Sequence, residues 1–71
     1  MKVVEAFKLP NDIGYCICFD RKLNAKEMAC RTAVVDDLSL EMLQTTNDRW
    51  LWTKDNIPDP DALAGKEIIL M

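Results

Sequence analysis

Asn24-Ala25-Lys26-Glu27-Met28-Ala29-Cys30-Arg31-Thr32-Ala33-Val34-Val35 is the stretch on which the fold class turns. It opens as a capping box does. Asn24 supplies the capping side chain, and Glu27, three residues on, can return a hydrogen bond to the Asn24 backbone. Ala25, Met28, Ala29, Thr32 and Val35 follow at helical spacing, with Lys26, Glu27 and Arg31 on the opposite side. Glu27 and Arg31 are four apart in the favourable order, an arrangement worth about 0.2–0.5 kcal/mol. The spacing predicts a helix over 24–36. It should stop near Val35–Asp37, where β-branched residues and two acids sit badly at a helix C-terminus.

The sequence on either side reads as strands. Residues 2–9 place Val3, Phe7 and Leu9 on one face, and Pro10-Asn11-Asp12 with Gly14 makes a turn. Tyr15-Cys16-Ile17-Cys18-Phe19 is apolar on both faces, as a central strand covered on both sides would be. These two runs should pair as a hairpin. Leu38, Leu40 and Met42 alternate, which favours a strand over 38–44, although Leu38 and Met42 also fit one helical turn. Arg49-Trp50-Leu51-Trp52-Thr53-Lys54 is a clearer strand, and the two would form a second hairpin. Asp59 to Gly65 reads as a short helix, with Asp59 as cap, Pro60 at its first position, Asp61 against the dipole and Gly65 at its end. Lys66 to Met71 is a last strand. The expected fold is therefore α+β, in the order β-β-α-β-β-short helix-β. A small antiparallel sheet would pack on one main helix, within a single compact domain spanning 1–71.

Composition bounds the rest. The chain has 71 residues, 9 Lys+Arg against 12 Asp+Glu, a net charge of −3, three cysteines and no histidine. Domains usually run to roughly 100–150 residues, so two do not fit, and most apolar residues must enter one core. No stretch reaches the roughly 20 apolar residues of a membrane span. Glu5 and Lys8 interrupt any signal-peptide core, so the expected compartment is the cytoplasm. Three cysteines is an odd number, and Cys16 and Cys18 stand two apart on one strand face, so free thiols in a reducing compartment are expected.

No motif supplies chemistry. Cys16, Cys18 and Cys30 lack a fourth ligand for zinc, and C-x-x-C is absent, so the cysteines read as small buried hydrophobes. A calcium loop begun at Asp55 would need an acid at its third position and Glu at its twelfth, where Ile57 and Lys66 stand. Asp59 and Asp61 are explained by capping and turn chemistry. Asp36-Asp37 with Glu41 could in principle do acid–base work, but adjacent acids at a junction are usually solvated. No catalytic residue, metal site or cofactor is expected.

Trp50 and Trp52 share one strand face. The simplest expectation is that they fill the core and that Arg49, Leu51 and Thr53 turn outward. If exposed, they could anchor a protein partner or stack bases. The acidic balance and the scattered basic residues disfavour nucleic acid. The sequence thus points to a small acidic, non-enzymatic protein-binding module, an inhibitor or adaptor of a larger protein or complex with a basic surface. Its candidate partner-binding residues are Asp36, Asp37, Trp50, Trp52, Asp55, Asp59 and Asp61. The alternative is single-stranded nucleic-acid binding through sheet aromatics. The size suits a viral or mobile-element accessory protein, and open sheet edges invite a homodimer.

Overall fold

In the computed structural model, which describes residues 1–71, the chain forms seven strands and one turn of helix. The strands are β1 (Val3–Lys8), β2 (Tyr15–Phe19), β3 (Thr32–Val35), β4 (Leu38–Glu41), β5 (Leu43–Gln44), β6 (Trp50–Thr53) and β7 (Ile69–Leu70). Helix α1 is Ala25–Met28, lying between β2 and β3. Single 3-10 turns occupy Pro10–Asp12 and Pro60–Leu63.

The expected helix over 24–36 is overturned, and with it the α+β sheet packed on a main helix. The capping box itself forms. Asn24 Oδ1 accepts the Glu27 N–H at 2.8 Å, and Glu27 Oε1 accepts the Asn24 N–H at 2.9 Å. What fails is propagation beyond one turn. Thr32, Val34 and Val35 are β-branched and lose side-chain freedom in a helix, and a helix of a dozen residues is marginal without a tertiary face to bury. Extended, the same residues bury Ala33 and Val35 completely against Leu40 and Leu38 of β4. Ala25 and Ala29, expected in a buried stripe, are exposed. The expected Glu27–Arg31 pair gives way to a bidentate contact from Arg21, at 2.8 and 2.6 Å.

Both expected hairpins are present in altered form. β1 and β2 pair antiparallel, Phe7 opposite Cys16 and Lys8 opposite Tyr15. Segment 38–44 is extended but serves two sheets. β4 pairs with β3, whereas β5 pairs with β6, Leu43 opposite Trp52. Met42 stands between them at the corner, fully buried, its N–H bonded to the Arg31 carbonyl at 2.7 Å. Asp36 and Asp37 form the tight link between β3 and β4, with Asp36 at φ +51°, a conformation that aspartate tolerates better than most residues.

The result is a four-stranded sheet in the order β1-β2-β6-β5 and a three-stranded sheet in the order β4-β3-β7. One seam between them is the Met42 corner. The other is a bridge between Lys2 and Glu67, reinforced by Val3 N–H to Lys66 O at 2.9 Å and Gly65 N–H to Val3 O at 2.7 Å. The inner faces enclose one apolar cluster that includes Ile17, Phe19, Val35, Leu40, Met42 and Leu51. The last six residues contribute only Ile69 and Leu70 to a strand. The segment 59–65 is a 3-10 turn rather than a helix, and the Asp59 side chain makes no capping bond.

Candidate functional site on the outer sheet face

β6 presents the reverse of the expected faces. Leu51 and Thr53 are fully buried, and Thr53 Oγ1 accepts the Asp55 N–H at 3.0 Å. Trp50 keeps 38 % of its surface exposed and Trp52 is half-buried. The expectation of a tryptophan core is therefore corrected, because period-two geometry gives the core to only one side of a strand and β6 gives it Leu51 and Thr53.

The register assembles what surrounds the indoles. Trp50 stands opposite Cys18 and Trp52 opposite Cys16, while Glu5 and Phe7 stand opposite the same two cysteines from the other side. Leu43 closes the row beyond Trp52. The Phe7 and Trp50 rings meet edge to face, with centroids 6.2 Å apart. Beside them runs an almost wholly apolar groove of about 270 Å³, lined by Phe7, Leu9, Ile13, Cys16, Trp50 and Trp52, with Gln44 and Thr45 at its margin. Ile13 is half exposed at this rim. A second hollow, of about 590 Å³, lies across the Phe7–Trp50 pair and is bordered by Glu5, Asp20 and Arg49. Lys54 Nζ lies 6.0 Å from the Trp52 ring centre, within cation–π range.

β2 is a central strand buried on both sides, as its apolar run implies, but its outer cover is the aromatic side chains of the flanking strands rather than a helix. Burial first, then the neighbouring Cys18, pushes the Cys16 thiol up to about 12. Burial also raises Cys18. Protonated thiols are poor nucleophiles and poor ligands. All three cysteines are free, and no group of three or more metal-binding side chains exists.

The predicted acids do not join this face. Asp36 pairs with Lys66. Asp37 is exposed at the β3–β4 link, beside Asp36. Asp55 Oδ2 accepts the Glu41 N–H at 2.8 Å, tying the loop after β6 to the end of β4. Asp59 and Asp61 are exposed at the 3-10 turn. The structure therefore unites Trp50 and Trp52, adds Phe7, Leu9 and Ile13, and leaves Asp36, Asp37, Asp55, Asp59 and Asp61 distributed among other positions. Alternation could have found Phe7, since it follows Glu5 by two on β1. Nothing local in the sequence marks Ile13, which the turn carries onto this face.

The outer face of the three-stranded sheet is poorer, with Val34 between Ser39 and Ile69. No helix is long and apolar enough to cross a membrane. No family model, curated protein or solved structure matches the chain, so its own residues carry the functional argument.

Proposed function

We propose that the chain is a non-enzymatic protein-binding module, acting in the cytoplasm as an inhibitor or adaptor of a larger macromolecular partner. Its working surface is the outer face of the four-stranded sheet. The observation that carries this is the open apolar groove between Phe7, Ile13, Trp50 and Trp52. Tryptophan in a concave, largely apolar setting is the usual anchor of protein interfaces, because it desolvates a large area at little cost in side-chain freedom. Asp37, Asp59 and Asp61 remain available to a basic partner surface, whereas Asp36 and Asp55 already have partners within the chain. Raised cysteine pKa values favour inert thiols over a redox or metal role.

One observation favours the alternative of single-stranded nucleic acid. Lys54 approaches Trp52, and Arg49 lines the hollow beside Trp50, as a phosphate-and-stacking surface would need. The net charge of −3 weighs against it.

The test compares the native chain with Trp50→Ala. A protein captured by the native chain and lost with the variant, at unchanged circular dichroism, supports the protein-binding reading. Indole quenching by micromolar mixed oligonucleotides, suppressed by salt, replaces it with the alternative. Capture indifferent to Trp50→Ala removes this face from the proposal.

A further inference from the structure

The charges that frame this face are arranged to complement a copy of themselves, and we infer that a second copy of this chain can occupy it, packed face to face about a two-fold axis. The inference rests on the reading of the face as a binding surface and names one occupant.

The outer residues stand in rows across the strands. Glu5, Cys18 and Trp50 make one row, and Phe7, Cys16, Trp52 and Leu43 make the next. Beyond the first row lie Asp20 and Arg49, which border the same hollow as Glu5. Beyond the second lies Lys54, against Trp52. Lys8 is also near that end, but Asp12 takes its charge at 2.7 Å. Glu5, Asp20, Arg49 and Lys54 belong to none of the ion pairs within the chain. Two acids and one base thus frame one end, and a single unpaired lysine frames the other.

An isologous interface brings each patch onto its own copy, so opposite charges at opposite ends meet twice. With the axis in the plane of the face and oblique to the strands, because Lys54 follows β6 whereas Glu5 stands two strands away on β1, Lys54 of each copy reaches the Glu5–Asp20 corner of the other. The apolar grooves then close on each other between these two contacts. Arg49 at the acidic corner limits the attraction to one net charge at each contact. Size sets the strength. The whole chain exposes 4467 Å², and the face consists of four strands of two to six residues spaced about 4.8 Å apart, so a partner covers about a few hundred Å² of it. That is short of the roughly 800 Å² per side of a standard stable interface. The dimer is therefore weak and reversible, and leaves the face accessible to another protein at low concentration.

Sedimentation velocity on the full chain, from ~5 µM to ~1 mM, reads the dissociation constant. The expected result is a mass that rises from 8.1 kDa toward twice that value, with indole emission moving to the blue in parallel. Lys54→Glu and Glu5→Lys each weaken association by ~10-fold, and the double swap recovers most of the loss, because the reversed charges again face each other. Asp37→Lys, on the other sheet, leaves it unchanged. A chain that stays at 8.1 kDa throughout overturns the inference. So does a dimer indifferent to Trp50→Ala and to both charge reversals, which would place the contact at a sheet edge. A monomer that still captures a partner through Trp50 defeats only this inference. A charge-swappable dimer with no other partner defeats the adaptor proposal and leaves this one standing.

Discussion

Leu51 and Trp50 are neighbours on one strand, and they do opposite work. Leu51 is fully buried between the two sheets, while Trp50, the larger and more apolar-looking choice for a core, keeps 38 % of its surface in solvent. The inner face of the four-stranded sheet is closed by a second sheet. The outer face is closed by nothing, and its aromatic residues cover only the two cysteines beneath them. A small domain with few large side chains would ordinarily put both tryptophans inside. That this one puts them outside separates what holds the fold from what is free to bind.

The sharpest way to break this comparison is Leu51→Ala. A buried leucine with no room to collapse costs about 2–5 kcal/mol when truncated. Chemical denaturation should show a loss of that size, and a loss below about 1 kcal/mol would mean that the inner face is not the core. Next in size is Trp50→Ala. It forfeits the edge-to-face contact with Phe7 and some cover over Cys18, which together amount to about 1–2 kcal/mol. The same variant should abolish partner capture. If it destabilised the chain as much as Leu51→Ala, Trp50 would be structural and the binding proposal would lose its anchor.

Much of the strand pattern was legible because period two is local. Residues 15–19 announce a central strand by being apolar at every position, and 49–54 announce a strand by alternation. Which side of 49–54 faces inward was not legible, since the tryptophan face is the more apolar of the two, and Leu51 and Thr53 are buried only because the second sheet closes on their side. The helix over 24–36 misled for a related reason. Asn24 and Glu27 are a true start signal, and α1 begins where they say. The stop signal was also in the sequence. Val34-Val35-Asp36-Asp37-Leu38-Ser39-Leu40 is a run of β-formers interrupted by two turn residues, the pattern of a hairpin, and it outweighs helical spacing in residues with poor helix propensity. The corner at Met42 was not legible, because it depends on pairing with two different sheets. Of the candidate site, alternation along 49–54 puts Trp50 and Trp52 on one face, whereas Asp36-Asp37 and the acids of 55–61 share only their charge and their nearness in sequence, which carry no information about proximity to that face.

The smallest effects sharpen a second contrast, between the two places where an acidic or amide side chain was expected to cap a helix. Asn24 and Glu27 cap α1 through a reciprocal pair of bonds, and Arg21 adds two more to Glu27. The Arg21 guanidinium first, then the Asn24 backbone N–H, holds the Glu27 carboxyl down at about 2, against an ordinary value of 4.5. A folded value below the unfolded one means that the unfolded chain binds the proton more readily between those limits. This contribution to stability is therefore fully present above about 4.5 and is lost as the pH falls toward about 2. Glu27→Gln should cost about 1 kcal/mol at neutral pH, since it removes the charge from the Arg21 contact while keeping a group that can return the bond to Asn24. The gap between native and variant should close across that acid window, and a constant gap would show that Glu27 acts by shape alone. Asp59→Ala should change stability by no more than about 0.5 kcal/mol, because Asp59 makes no capping bond and sits in solvent. Two residues of similar promise in the sequence thus differ in effect because only one lies where the chain turns back to meet it. A loss at Asp59 equal to that at Glu27 would show that the 3-10 turn is held by its cap in solution.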